Sequence, residues 1–378
     1  MKKRQFKIDY ILLICVLLLA VIGVFMVYSA SSYSASINYN NKYHFLTKQI
    51  IGNLIGVGLL VLFMFINIEK TKKLKNVFLG LSIAMLAIVF IPGIGKTSYG
   101  ANRWINLGFA TLQPSEIAKF GFIMYCAGVM ADMKTNPKTF KAMLPVLLAG
   151  CSICLLIILE PNMSITMCVG MVMLIMLFVG GSGIKNMLLI TIPIILMVPV
   201  LIIIEPYRLQ RLSAFLDPWS SPLEEGFQLI QSYYALGSGG WFGVGYGDSR
   251  QKFLFLPFAE SDFIFSVIGE ELGFVFAGLI LVLYVIIIFR GFKIALNADT
   301  RYKCYLATGI TALIGVQTLI NIAVVTGAIP PTGLPLPFIS AGSTSLIAFL
   351  SSVGMLLSCS IKMSPTDKIF ISLKQHRA

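Results

Sequence analysis

The sequence predicts an all-α polytopic membrane protein with about ten transmembrane helices, and three observations carry that prediction. Of the 378 residues, 57% are hydrophobic and only 12% are charged, whereas soluble domains carry roughly 25% charged residues. Mean hydropathy is +0.87. Ten stretches between Tyr10 and Ile361 stay mostly apolar over the length that crosses a bilayer core as helix, about 18 residues or more. A water-soluble fold is excluded.

The first span, near 10–29, follows Lys2, Lys3, Arg4 and Lys7. The second (48–68) and third (76–94) flank Lys70, Lys72, Lys73 and Lys75, and the fourth (115–131) and fifth (142–159) flank Lys134, Lys138 and Lys141. Lys185 separates the sixth (162–181) from the seventh (186–204). Arg290, Lys293, Arg301 and Lys303 lie between the eighth (262–289) and ninth (304–326), and Lys362, Lys368, Lys374 and Arg377 follow the tenth (340–361). Taken on alternate sides, these segments put twenty of the 29 cations on one face. The positive-inside rule then places both termini in the cytoplasm. The carboxylates sort the other way: Glu116, Glu160, Glu205, Asp217, Glu224, Glu225, Asp248, Glu260 and Asp262 fall on the outer face. The chain reads as a single integral membrane domain, 1–378, with a large extracytoplasmic loop at 205–261 between spans seven and eight. That loop shows little hydrophobic periodicity, and loops of its length are usually functional or disordered.

Several chemistries are poor matches. The two histidines, His44 and His376, lie outside the spans and far apart, and the seven cysteines are dispersed, so zinc, Cys-His and disulfide frameworks lack their ligands. The net charge of +13 belongs to short inner loops, as in anchors near anionic lipid, and implies no nucleic acid. Gly237-Ser-Gly-Gly-Trp-Phe-Gly-Val-Gly-Tyr-Gly247 does not open a helix after a strand, so it is a folded, backbone-rich surface rather than a nucleotide loop.

Three outer segments combine polar residues with Pro and Gly: Gly100–Asn106 leading to Gln113–Lys119, the end of the long loop at Leu256–Phe265, and Gly327–Gly342. Non-helical backbone at membrane depth is tolerated only where protein or water satisfies it, so the three are expected to meet in one cavity. A rigid turn between spans nine and ten is the competing reading of the third. Asp262 stands where the loop meets span eight, with Ser261 as a candidate N-cap, and an acidic residue there is often only a cap. Glu270 and Glu271 follow in the apolar stretch, where a carboxylate is costly and needs a partner or a function. Glu116 and Lys119, three apart, share a helix face and can simply pair. Arg103 beside Trp104 offers a fork for phosphate next to a packing surface, or an interfacial anchor. Arg208, Arg211, Arg250 and Lys252 flank the long loop. Together these cations suit a diphosphate-bearing ligand, and Arg103 and Lys119 are expected to meet phosphate rather than to fill a core.

Read together, Arg103-Trp104, Gln113-Pro-Ser-Glu-Ile-Ala-Lys119, Arg211-Leu-Ser-Ala-Phe-Leu-Asp-Pro-Trp219, Gly237-Ser-Gly-Gly, Ser261-Asp-Phe-Ile-Phe265, Gly269-Glu-Glu-Leu-Gly-Phe274, Asn321-Ile-Ala-Val-Val-Thr-Gly327 and Pro331-Thr-Gly-Leu-Pro-Leu-Pro-Phe-Ile-Ser340 resemble the SEDS family (shape, elongation, division and sporulation). The resemblance covers nearly the whole chain, and the Val-Val-Thr-Gly and Pro-Pro-Thr-Gly wording is closer to its FtsW and SpoVE members than to RodA. It implies a peptidoglycan glycosyltransferase that polymerises lipid II at the outer face of the bacterial cytoplasmic membrane, for a division or sporulation septum. The implied partner is a class B penicillin-binding protein that cross-links the strands, among other divisome or sporulation proteins.

The family's essential aspartate matches Asp262, the expected catalytic base. Arg103, Trp104, Glu116, Lys119, Arg208, Arg211, Lys252 and Ser340 are the expected substrate-binding set, with no resident metal site; a divalent ion, Mg or Mn, is the one cofactor the diphosphate chemistry calls for. A 4-hydroxyl would attack an anomeric carbon and expel polyprenyl diphosphate with inversion, so one base suffices. The pattern is broken at Phe258, where the family has Glu in a Leu-Pro-Glu run, at Asn162, where it has Asp, and at Ala341 and Ser343. A lipid-linked-precursor flippase, which also needs intramembrane carboxylates, and a non-catalytic septal scaffold are the rival readings.

Overall fold

The computed structural model describes residues 8–92, 95–98, 101–106, 111–133, 140–204 and 206–361. The basic termini, and Lys134 and Lys138 of the inner loop, lie outside them. Each predicted span overlaps a helix, the third only as far as Ile88. In order these are α1 (Tyr10–Tyr39), α2 (His44–Phe65), a short α3 (Ile68–Thr71), α4 (Lys75–Ile88), α5 (Pro114–Asp132), α6 (Phe140–Leu159), α7 (Met163–Val179), α8 (Ile184–Ile204), α9 (Pro206–Leu216), α10 (Phe227–Ser238), α11 (Ile264–Leu296), α12 (Arg301–Val325) and α13 (Ser343–Ser360). Six of them, α1, α2, α6, α11, α12 and α13, are each long and apolar enough to cross a membrane unaided. The protein is an all-α polytopic membrane protein.

Two features depart from the expectation. A small antiparallel sheet, β1 (Gly95–Ser98), β2 (Ala101–Asn106) and β3 (Thr111–Leu112), joins α4 to α5. The long loop also contains helices α9 and α10. Both are short, which is why no span-length periodicity announced them; α10 buries Leu229, Ile230, Ser232 and Ala235 against α11 and α12.

The core is built around α12. It packs against α5, α7, α11 and α13 and buries Thr308, Thr311, Gln317, Thr318 and Asn321 with its apolar residues. A helix mostly enclosed by other helices leaves few positions facing lipid, here Leu319 among them, so it can carry the hydrogen-bonding groups of the interior.

Helix α11 is broken at Gly273 (φ 78, ψ 178), a conformation open only to glycine. The glycine-rich stretch of the long loop fills the break. Val244 and Gly245 N–H donate to the Glu270 and Glu271 carbonyls at 3.0 Å each, and Phe274 and Val275 N–H donate to Gly240 and Trp241 carbonyls at 2.9 and 3.1 Å. The four backbone groups freed by the break are thereby satisfied, as an apolar surrounding demands. The expectation of a folded, backbone-rich surface over 237–247 agrees with this.

Candidate active site

The Pro-rich segment after α12 cannot form a ladder, because proline lacks a donor. Its carbonyls are held instead by side chains from elsewhere: Pro331 O by Arg211 Nη1 at 3.0 Å, Leu334 O by Asn321 Nδ2 at 2.8 Å and Pro335 O by Gln317 Nε2 at 2.8 Å. Tyr284 OH donates to Pro337 O. Gln49 Nε2 reaches Ile339 O and Ser340 O at 3.3 and 3.4 Å. Helices α2, α9, α11 and α12 thus fix one strand of irregular backbone.

That strand holds Asp262. Ala341 N–H donates to Glu260 O at 2.8 Å, Ser340 Oγ to Ser261 O at 2.6 Å and Asn321 Nδ2 to Asp262 O at 2.8 Å. The second and third polar segments therefore meet, as expected. Asp262 is no helix cap: α11 starts at Ile264 after Phe263, and no side chain caps it. The left-handed turns at Leu254 (φ 68) and Phe258 (φ 55) bring the chain into α11 along a path where neither Ser261 nor Asp262 aims at the first helical N–H groups. The cap reading is corrected accordingly.

Asp262 keeps part of its surface open but is ringed by protein. Burial pushes its carboxyl up to about 6, against the pull of the Arg211 guanidinium, the Ser261 hydroxyl and, more weakly, Arg103, while Glu260 adds to the rise. Burial likewise raises Glu260. A carboxylate poised near neutral pH, within the field of the Arg211 and, more weakly, the Arg103 guanidinium, is equipped to take a proton beside an anion.

Arg103 and Trp104 lie half-buried on β2. Arg103 lies across the α6–α7 turn, where Nε donates to Glu160 O at 3.0 Å and Nη2 to Pro161 O at 2.5 Å. The Glu160 side chain is 1% exposed, and neither carboxyl oxygen has a partner among the described residues. Burial pushes it up to about 8, with Arg103 pulling it down. Arg208 is half-buried on α9, the same helix that supplies Arg211.

Two predicted phosphate ligands have other work. Lys119 and Glu116 are each 1% exposed and pair at 2.9 Å. Lys119 Nζ also donates to Gln317 Oε1 at 2.7 Å, and Ser345 Oγ to Glu116 Oε2 at 2.6 Å. The pair is an interior strut reaching the Pro-rich strand through Gln317, not a core-free cation facing solvent. Lys252 is 6% exposed and meets Glu271 at 3.3 Å, its ammonium also reaching Gly247 O. Glu271 further accepts from Ser29 Oγ at 2.6 and 2.7 Å, and Glu270 accepts from Ser249 Oγ at 2.5 Å and Arg250 N at 2.9 Å. These carboxylates pin the loop over the break in α11. Ser340 is 5% exposed and serves the backbone of Leu336 and Ser261. Gln317, Asn321, Ser345 and Gln49 were not picked out as site residues; polar side chains within apolar spans were their only signal.

Asn162 caps α7 by accepting from Ile165 N at 3.3 Å, a task asparagine and aspartate perform equally, so that departure is structurally mild. Among the described residues no group of three His, Cys, Asp or Glu converges. Glu260 lies within the electrostatic reach of Asp262, and one or two carboxylates beside phosphates are the donors that Mg takes.

Comparisons with known proteins agree with this architecture. The FtsW/RodA/SpoVE family, described as cell cycle proteins, matches residues 9–364. Stage V sporulation protein E of Bacillus subtilis is 37% identical over 364 residues, 95% of this chain and 99% of that protein. A probable peptidoglycan glycosyltransferase FtsW of Geobacter sp. is 38% identical over 357 residues, covering 94% and 97%. Among solved structures, a chain from a peptidoglycan synthase complex that coordinates polymerization and crosslinking superposes with a TM-score of 0.76 at 27% identity, covering 93% and 97%. RodA of Thermus thermophilus shares the fold, with a TM-score of 0.70 at 24% identity, covering 96% and 100%. From its match over nearly its whole length, the chain belongs to the FtsW/RodA/SpoVE family of cell cycle proteins.

Proposed function

We propose that this protein is a peptidoglycan glycosyltransferase that polymerises lipid II during septal wall synthesis, at division or sporulation. The observation that carries the reading is Asp262, a partly open carboxylate raised to about 6 within the field of Arg211 and, more weakly, Arg103, whose segment is held by the Pro-rich strand. In the proposed step the sugar 4-hydroxyl loses its proton to Asp262 as its oxygen bonds to the anomeric carbon. The bond from that carbon to the diphosphate oxygen breaks, and the electron pair leaves with polyprenyl diphosphate. Arg103, Arg208 and Arg211 are the cations proposed to hold the phosphates, with Trp104 against the sugar or lipid. A divalent ion, Mg or Mn, held by Asp262 or Glu260 with the phosphates, would supply further charge stabilisation. Lys119, Glu116, Lys252 and Ser340 support this site from beneath.

The site faces outward in this reading, with both termini cytoplasmic and 205–261 external. A cysteine placed at Ser220, which is exposed beyond α9, is expected to react with a membrane-impermeant thiol reagent in intact cells; labelling only after lysis would reverse the orientation. The proposed partner is a class B penicillin-binding protein that cross-links the new strands. Purified protein, with and without that partner, should convert labelled lipid II into a ladder of glycan. No polymer under either condition, with lipid II crossing the bilayer of vesicles, would replace the polymerase by a flippase. Neither polymer nor crossing would leave a scaffold.

A further inference from the structure

Between Pro331 and Ser340 most backbone is already engaged. The carbonyls of residues 331, 334, 335, 337, 339 and 340 accept side-chain donors, and that of Leu336 accepts Ile339 and Ser340 N–H at 3.3 and 3.1 Å. Thr332, Gly333 and the buried Phe338 break this pattern, and of these Thr332 and Gly333 are the ones with open surface. Neither peptide group has a partner among the described residues, and Thr332 Oγ1 is buried without one. Gly333 is also the exposed residue of the run.

Its position gives that gap a meaning. A Cβ built on Gly333 would meet one heavy atom within 4 Å, Asp262 Oδ2 at 3.3 Å. Its φ is not in the left-handed region, so the glycine is not required by the local turn. What glycine provides here is close access to the carboxylate and to bare backbone N–H and C=O. An unspent hydroxyl and unspent peptide groups beside a base match a ligand rich in hydroxyl and acetamido groups.

The geometry points to the Thr332–Gly333 step as the acceptor subsite: the sugar that carries the attacking hydroxyl lies over Gly333, hydrogen-bonds its backbone and the Thr332 hydroxyl, and presents its O–H to Asp262 Oδ2. The inference rests on the polymerase reading above and adds where the acceptor, rather than the diphosphate donor, is held.

Gly333→Ala tests it in the purified protein with its partner. The backbone accepts alanine, so expression and monodispersity should be native. The apparent KM for lipid II should rise about tenfold or more, the scale of losing a ligand hydrogen bond and the space it needs, while inhibition by polyprenyl diphosphate, which occupies the donor side, keeps its native constant. Thr332→Val removes the hydroxyl at constant shape and should raise KM several-fold without changing that constant. Gly58→Ala, on α2 with nothing within 4 Å of its Cβ, is the control. Native KM in Gly333→Ala overturns the subsite, as does an equal loss of polyprenyl diphosphate inhibition. If alanine at 333 prevents folding, native KM in Thr332→Val overturns it instead. Failure of the native chain to make any polymer sinks the polymerase reading first, and this one with it.

Discussion

Asp262→Asn is expected to abolish glycan polymerisation while expression, membrane insertion and partner association stay native. Asparagine has the same size, and the anchors of this residue are backbone groups: the Asp262 carbonyl takes Asn321 Nδ2 at 2.8 Å, and no side-chain cap of α11 is lost. What disappears is the base, a contribution of about 10²- to 10⁴-fold, large enough to read from glycan length on a gel. The native chain carries a matching pH signature. Because burial pushes the Asp262 carboxyl up to about 6, the protonated, inactive form gains below that pH, and the rate should fall tenfold per unit on the acid side and level off above it. Full-length polymer from the variant, or a rate indifferent to pH between about 5 and 7, would remove Asp262 from the chemistry.

Gly273→Ala is expected to give the largest structural loss. At φ 78 and ψ 178 alanine is strained, by about 1–3 kcal/mol. Its Cβ would also stand 2.3 Å from Gly243 N and 2.6 Å from Phe242 backbone atoms. The loop must lift, which strands Glu270 and Glu271 carbonyls and Phe274 and Val275 N–H groups, each costing about 1–3 kcal/mol if left unpaired. Thermal unfolding in detergent should show a melting temperature lowered by many degrees or no monodisperse protein. Gly278→Ala on the same helix, where a Cβ meets nothing within 4 Å, should be neutral or stabilising. A native melting temperature for Gly273→Ala would mean the loop is not a structural part of α11.

How far the sequence reached is visible in particular residues. Spans were legible because the bilayer imposes length and apolarity on each one separately, so α1 or α12 could be found without knowing its neighbours. The sheet and helices α9 and α10 were not, since short elements of mixed polarity have no such rule and are stabilised by what they pack on. Asp262 and the meeting of its loop with the Pro-rich strand followed from the family resemblance and from the need of irregular backbone for partners.

Charge sign, by contrast, said nothing of destination. Arg211 and Lys252 are both cations flanking one loop, yet Arg211 lies beside Asp262 while Lys252 is buried against Glu271. Lys119 looked like a phosphate ligand and is a strut between Glu116 and Gln317, a residue 198 positions away in the chain. The sequence by itself determined the membrane architecture, the family and the candidate base, because hydropathy and ordered motifs are properties of the local chain. Only the tertiary structure decided which cations are buried in internal ion pairs, that Asp262 is not a cap, and that Gly333 lies beside its carboxylate. Those depend on which distant groups share a buried space, where an unpaired charge or peptide is too costly to persist and each finds whichever partner the packing brings near.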